Sequence, residues 1–193
     1  MGLVEMGVDN FKKNFDGGTR PNRFVVTGEI GGDGSTTPIN NLYVKAASMP
    51  SSTMGIIQVP FRGRVIKLPG DRAYPEWTIT LLDETSDDFR TKFEAWNEAF
   101  NSHAENISGD QAGGLDLTDT NLFTNWTVAQ LDMQGNVIRS TTLHNCWPVE
   151  VGAVDLTYDA ADTLTEYSIT LSYDYIDLHE GQSPGGLGGA VTA

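Results

Sequence analysis

The stretch from Ser48 to Trp77, SMPSSTMGIIQVPFRGRVIKLPGDRAYPEW, is the part of this chain that most restricts how it can fold. Ile56–Phe61 and Arg64–Leu68 read as two strands around Arg62-Gly63, where Gly63 supplies the positive φ that a tight hairpin turn needs. Pro60 has no N–H for a ladder, so its strand is an edge, or becomes central only through a partner chain. Pro69-Gly70 is expected to end the hairpin. Arg62, Arg64, Lys67 and Arg72 fall within eleven positions, with Lys45 just upstream, in a chain whose formal charge is −14. A basic ribbon on an acidic protein points to recognition of other copies of itself.

The acidity is unevenly placed. Residues 1–92 carry eleven acids and eleven bases, whereas residues 93–193 carry fifteen acids and one base, Arg139. Such a surface repels phosphates, which excludes ordinary DNA binding; the other use of the charge is solubility. No apolar run is long enough to span a membrane, and MGLVEMGVDNFKKNF lacks the pattern of a secretory signal. The single cysteine, Cys146, allows no internal disulfide and fits a reducing cytosol. It reads as a buried small hydrophobe, although His144, two residues away, would share its face in a regular strand.

Along the chain, residues 1–20 read as an arm, with Phe11 and Phe15 placed for a short helix that would need a docking surface. Residues 21–178 form the expected domain, and residues 179–193, HEGQSPGGLGGAVTA, a flexible tail. Arg23–Glu29, Leu42–Ala47 and Trp77–Leu82 have strand composition, with Ser48–Gly55 a polar connector. Ser86 is expected to cap one helix whose stripe is Phe89, Phe93, Trp96 and Phe100. Residues 102–123 make a long polar loop. Two hairpins follow: Trp126–Leu131 with Val137–Leu143, and Val149–Tyr158 with Leu164–Ile176. In the last strand Tyr167, Ile169, Leu171, Tyr173 and Tyr175 alternate with Glu166, Ser168, Thr170, Ser172 and Asp174, giving one buried and one wet face. The total is eight or nine strands and one helix: a mainly β fold, β-sandwich or open β-barrel, with an α-helix packed on it. Its open edges must be capped, charged or paired with another chain.

Catalytic patterns are missing. His103, His144 and His179 are scattered, no G-x-S-x-G elbow occurs, and Gly28, Gly31, Gly32 and Gly34 have the wrong spacing for a phosphate loop. Asp110, Asp116 and Asp119 do not match an EF-hand loop, and Asn106-Ile107-Ser108 and Asn125-Trp126-Thr127 read as chance sequons. No enzyme activity, cofactor or metal is expected.

Several segments in order resemble the tail tube proteins of contractile-tailed, T4-like bacteriophages. They are Ala46-Ala47-Ser48-Met49-Pro50, the ribbon Val59–Leu68, Gly70-Asp71-Arg72 followed by Trp77-Thr78-Ile79-Thr80, the helix from Phe89 to Trp96, Trp147–Gly152, and the alternating strand ending Tyr173-Asp174-Tyr175. The resemblance covers residues 20–178; the loop 102–123, the insert 31–36 and the tail after Leu178 depart from it.

That resemblance implies a tail-tube/Hcp-like fold and a structural protein of the virion tail, made in the host cytoplasm. It implies hexameric rings stacked into a hollow tube within a contractile sheath. Its partners would be other copies, the sheath, the baseplate and the tail terminator, with tape-measure protein and genomic DNA in the lumen and no membrane. Arg62, Arg64, Lys67, Asp71 and Arg72 would then serve the interface between subunits or rings; alternatively Asp71 and Arg72 pair with each other and only fix the turn. Glu150, Asp155, Glu166 and Asp174 are candidates for an acidic lumen. The alternatives are an Hcp-like tube of a type VI secretion or bacteriocin particle, a tube initiator or terminator paralogue, and a monomeric β-sandwich binding module.

Overall fold

Long-range strand pairing, more than local pattern, organises this chain. The computed structural model describes residues 8–15, 18–32, 36–85, 88–103, 120–159 and 162–180. The central element is β9 (Val137–Val151), fifteen residues long. The near half of β9 pairs on one side with β8 (Thr124–Leu131) and on the other with β11 (Tyr175–Glu180). Its far half, from Trp147 to Val151, pairs with β10 (Glu166–Ser172). The sheet continues from β10 to β7 (Trp77–Leu82) and β4 (Val44–Ala47), and is closed at the other edge by β1 (Phe24–Thr27) on β8. All of these pairs are antiparallel.

The sheet changes direction at Asn145. Its φ of 57° lies in the left-handed region that Asn tolerates better than most residues. Thr124 faces Cys146 while Trp126 faces Leu143, so β9 carries one extra residue there, a β-bulge. Pro148 lies beyond Cys146, the last partner of β8, where β9 keeps one neighbour and can spare an N–H.

Two smaller sheets complete the strands: β2 (Glu29–Ile30) with β3 (Thr37–Pro38), and β5 (Thr53–Phe61) with β6 (Arg64–Ala73). Helix α1 is Val8–Asn14, α2 is Phe89–Phe100, and a single 3-10 turn covers Asn41–Tyr43. The Asn40 side chain accepts from Leu42 N at that turn, which delays β4 to Val44.

The core lies between the inner face of the sheet and α2. Trp77, Ile79 and Leu81 alternate inward on β7, as do Tyr167, Ile169 and Leu171 on β10. Phe93 and Trp96 of α2 are fully buried, and the Phe93 ring sits 6.2 Å from that of Trp126, which packs 6.1 Å from Trp77. Burying one such aliphatic or aromatic side chain contributes about 1.5–3 kcal/mol. The Trp96 indole donates to Leu122 O at 2.8 Å, so its N–H is not left unpaired in the interior.

The mainly β fold with a packed helix is as expected; several boundaries are not. Among the described residues the chain forms eleven strands and two α-helices. The expected hairpin Val149–Tyr158 with Leu164–Ile176 does not exist in that form. Val149–Val151 belongs to β9, and 152–159 contains no strand. The last strand breaks at Tyr173-Asp174, because β10 follows the far half of β9 while β11 follows the near half across the bulge. Tyr173 remains buried, but Tyr175 comes out to the surface. The hairpin does not end at Pro69-Gly70 either; a register shift between Met54 and Ile56 lets the ladder run on to Thr53 and Ala73. The helix cap is Asp88, whose carboxylate accepts from Thr91 N at 2.9 Å. Ser86, residues 104–119, residues 1–7 and the tail after Glu180 lie outside the described residues. Phe11 and Phe15 stack at 4.8 Å and are both exposed, so α1 has no docking surface among the described residues.

Candidate functional site

The β5–β6 ribbon is built to stand alone within its own chain. It turns on Arg62 (φ 47°) and Gly63 (φ 82°), two consecutive positive-φ residues of the kind that match the twist of a hairpin. The pairs Phe61–Arg64, Val59–Ile66 and Ile57–Leu68 share one face, since directly opposed residues point the same way. The other face carries Pro60–Val65, Gln58–Lys67 and Ile56–Pro69. Every residue of the ribbon except the half-buried Gly70 is exposed, including Phe61 at 57% and Ile57 at 53%. Soluble monomers seldom leave a continuous apolar strip of this kind uncovered.

All five residues assigned to an interface are on this ribbon. Arg62 lies at its tip with its guanidinium 5.4 Å from the Phe61 ring centroid. Arg64 faces Phe61, Lys67 faces Gln58 and Arg72 faces Met54. Asp71 and Arg72 are consecutive in a strand, so their side chains leave opposite faces and they form no ion pair with each other. Among the described residues none of the five has an ion-pair partner.

The four acidic candidates are not all brought together. Glu166 and Glu150 belong to one outward face of the main sheet: Thr170 is the cross-strand partner of both Thr78 and Glu150, and Ser168 is that of Thr80. This face is a strip of hydroxyls edged by two carboxylates; Thr78 and Thr170 Oγ1 atoms are 3.2 Å apart, and Lys45 pairs with Glu166 at its margin. Asp155 lies past the end of β9, in the exposed segment before β10. Asp174 occupies the bend between β10 and β11 and accepts from Asn145 Nδ2 at 2.7 Å.

Nothing in the arrangement performs chemistry. Cys146 and His144 do not share a face, because the bulge at Asn145 separates them. Burial pushes the Cys146 thiol up to about 12, reinforced by the Asp174 charge, so it is no nucleophile. His144 instead pairs with Asp177 at 2.9 Å and stacks on Tyr175 at 4.5 Å. A groove between α2 and the end of β9 contains Thr91, Glu94, Glu98 and Glu150. The Thr91 hydroxyl is bonded to Asp88 and Glu94 is paired with Arg90, so the groove presents acids without an activated nucleophile. Among the described residues no group of three or more potential ligands surrounds a metal position, and no helix is long and apolar enough to cross a membrane.

Sequence reasoning missed a second exposed surface. Leu156 (85% exposed), Tyr158 and Leu164 stand out from the segment joining β9 to β10, among Asp155, Asp159 and Asp162. The signal was present as apolar residues spaced between aspartates, but it reads as strand and turn until the partner of β9 is known.

The tail tube protein gp19 of Enterobacteria phage T4 is 26% identical over 173 residues, covering 88% of this chain and 99% of its own length. In fold, the chain is similar to a subunit of the anti-feeding prophage baseplate, with a TM-score of 0.59, 12% identity, and 83% and 95% of the two chains covered. It is equally similar to one in the PVC sheath-tube complex of an extracellular contractile injection system, at a TM-score of 0.59, 14% identity, and 90% and 98% covered. The family model for phage tail tube proteins matches residues 18–177. The chain therefore belongs to the phage tail tube protein family, structural components of the virion tail.

Proposed function

We propose that six copies of this chain close into a ring, and that rings stack into the hollow inner tube that conducts phage DNA during ejection. The observation that carries this reading is the β5–β6 ribbon, whose apolar residues are exposed and whose four cations have no ion-pair partner among the described residues. A heterologous, head-to-tail contact covers such a ribbon and repeats without limit, which is what a tube requires. The likeness in fold to a baseplate solved with six-fold symmetry favours six subunits per ring. Sheath, baseplate and terminator would be its outer and end partners, with tape-measure protein and then DNA inside.

Glu150 and Glu166 would line the lumen. They share the hydroxyl-bearing face of β7 and β10, where carboxylates repel phosphates and short side chains offer nothing for a base or backbone to lodge against. Negative-stain microscopy of the purified protein tests the reading. Rings and tubes are expected; a protein that stays monomeric at every concentration rejects it.

A further inference from the structure

The two exposed apolar surfaces leave opposite ends of the same sheet. Ala47 of β4 pairs with Ile79 of β7, and Leu171 of β10 with Trp77, so the chain enters and leaves the ribbon at the Trp77 end. Glu166 pairs with Leu82, and Val151 with Ile169, so residues 152–159 and 162–165 lie at the Leu82 end. Within one chain the two surfaces therefore start from opposite ends of β7.

They are matched in chemistry. The ribbon carries exposed Ile57, Val59 and Phe61 with Arg62, Arg64, Lys67 and Arg72 against a single carboxylate, Asp71. The 152–165 segment carries exposed Leu156, Tyr158 and Leu164 with Asp155, Asp159 and Asp162 and no cation. Asp83 and Glu84 leave β7 at the same end, adding to its negative charge. The root of the segment is held in place: Arg90 donates to Gly152 O at 2.7 Å, and Gly152 N to Ser168 O at 2.7 Å.

We infer that the ribbon of one copy docks on the surface of Leu156, Tyr158 and Leu164 of a copy in the next ring, setting Phe61 and its apolar neighbours against those three residues and the ribbon cations against Asp155, Asp159 and Asp162. This rests on the stacked-tube reading and names the contact that does the stacking. Apolar exposure on both sides supplies affinity, and opposite charge supplies orientation and rate of encounter. Asp155 then serves the axial contact and not the lumen.

The test is a charge exchange imaged by negative stain. Arg62→Glu with Arg64→Glu, and separately Asp155→Arg with Asp159→Arg, should each reduce tube yield at least tenfold while leaving folding, read by circular dichroism, intact. The four changes together should restore tubes. Tubes formed normally by the Asp155/Asp159 variant, or a fourfold variant that folds but assembles no better than its parents, overturn the contact while leaving the tube reading in place. A wild-type protein that forms no tubes defeats the tube reading and this contact with it. An independent readout needs no charge change: Phe61→Cys with Leu156→Cys in one chain, treated with a short bis-maleimide, should give a ladder of multimers on a denaturing gel. Buried Cys146 supplies no background, and each single replacement should give no ladder. Absence of a ladder from assembled tubes of the double variant overturns the inference.

Discussion

The indole Nε1 of Trp77 donates to the carbonyl of Ser48 at 2.7 Å, binding the start of β7 to the chain that leads into the ribbon. Next to it, the Tyr173 hydroxyl donates to Ser51 O at 3.5 Å, and the Tyr74 and Tyr173 rings lie 6.0 Å apart. The free ribbon thus has an anchored root, and its direction is fixed by the core that holds Trp77.

Trp77→Phe keeps an apolar ring but strands the Ser48 carbonyl. It should lower stability by about 1–3 kcal/mol in urea titrations. It should also reduce tube yield more than Ile79→Ala, a core change on the same strand that costs at least as much. Equal losses would mean that Trp77 only stabilises and does not aim the ribbon.

Alkaline pH should weaken the fold. Burial raises the Cys146 thiol from 9.0 to about 12, and burial reinforced by Asp83 raises the Tyr167 phenol from 10.0 to about 12. Both folded values exceed the unfolded ones, so their contribution is complete below pH 9 and is lost as pH climbs from 9 towards 12. The slope is about 1.4 kcal/mol per pH unit for each group. Urea midpoints measured between pH 8 and pH 10.5 should fall accordingly, and Cys146→Ala should flatten the first part of the curve. A slope that ignores this replacement contradicts the assignment.

At the start of α2, Asp88→Ala should cost about 1 kcal/mol, because the caps on Thr91 N and Oγ1 are lost together. These hydrogen bonds hold the Asp88 carboxyl below its usual 3.8. With a depressed folded pKa, the contribution is present above that value and disappears as pH falls through the lowered one. Thermal melts should separate wild type from variant at pH 7 and bring them together in strong acid. A difference that persists there would assign the loss to something other than the cap.

Glu150→Lys combined with Glu166→Gln should leave tubes intact and slow DNA release from assembled particles several-fold, with the effect largest at low salt, where phosphate attraction is least screened. Release kinetics identical to wild type would remove these two residues from the lumen.

Much of the frame could be read from residues alone, because those elements state their own partners. Trp77–Leu82 alternates so regularly that both ends of β7 are as expected, and the aromatic stripe of α2 predicts the burial of Phe89, Phe93 and Trp96. The ribbon announced itself through Arg62-Gly63. The elements that escaped depend on distant pairing. Pro148 looks like a break in β9 until β8 is seen to stop at Cys146, and Asn145 looks like a turn residue when it is a bulge inside a continuous strand. The same distance hid the surface at Leu156 and Tyr158, which reads as strand until β10 takes its place beside β9. Of the site residues, those on the ribbon lie together, whereas the acidic set divides because alternation along one strand says nothing about the bend at Asp174.

The ribbon leaves the sheet at the Trp77 end and the aspartate-rich segment at the Leu82 end. Stacked through the contact proposed above, subunits added in a single orientation would give a rod with two unlike tips, one carrying the ribbon cations and one the aspartates. Growth then has an arrow, and whatever stops elongation needs to recognise only one of the two tips, by its sign of charge.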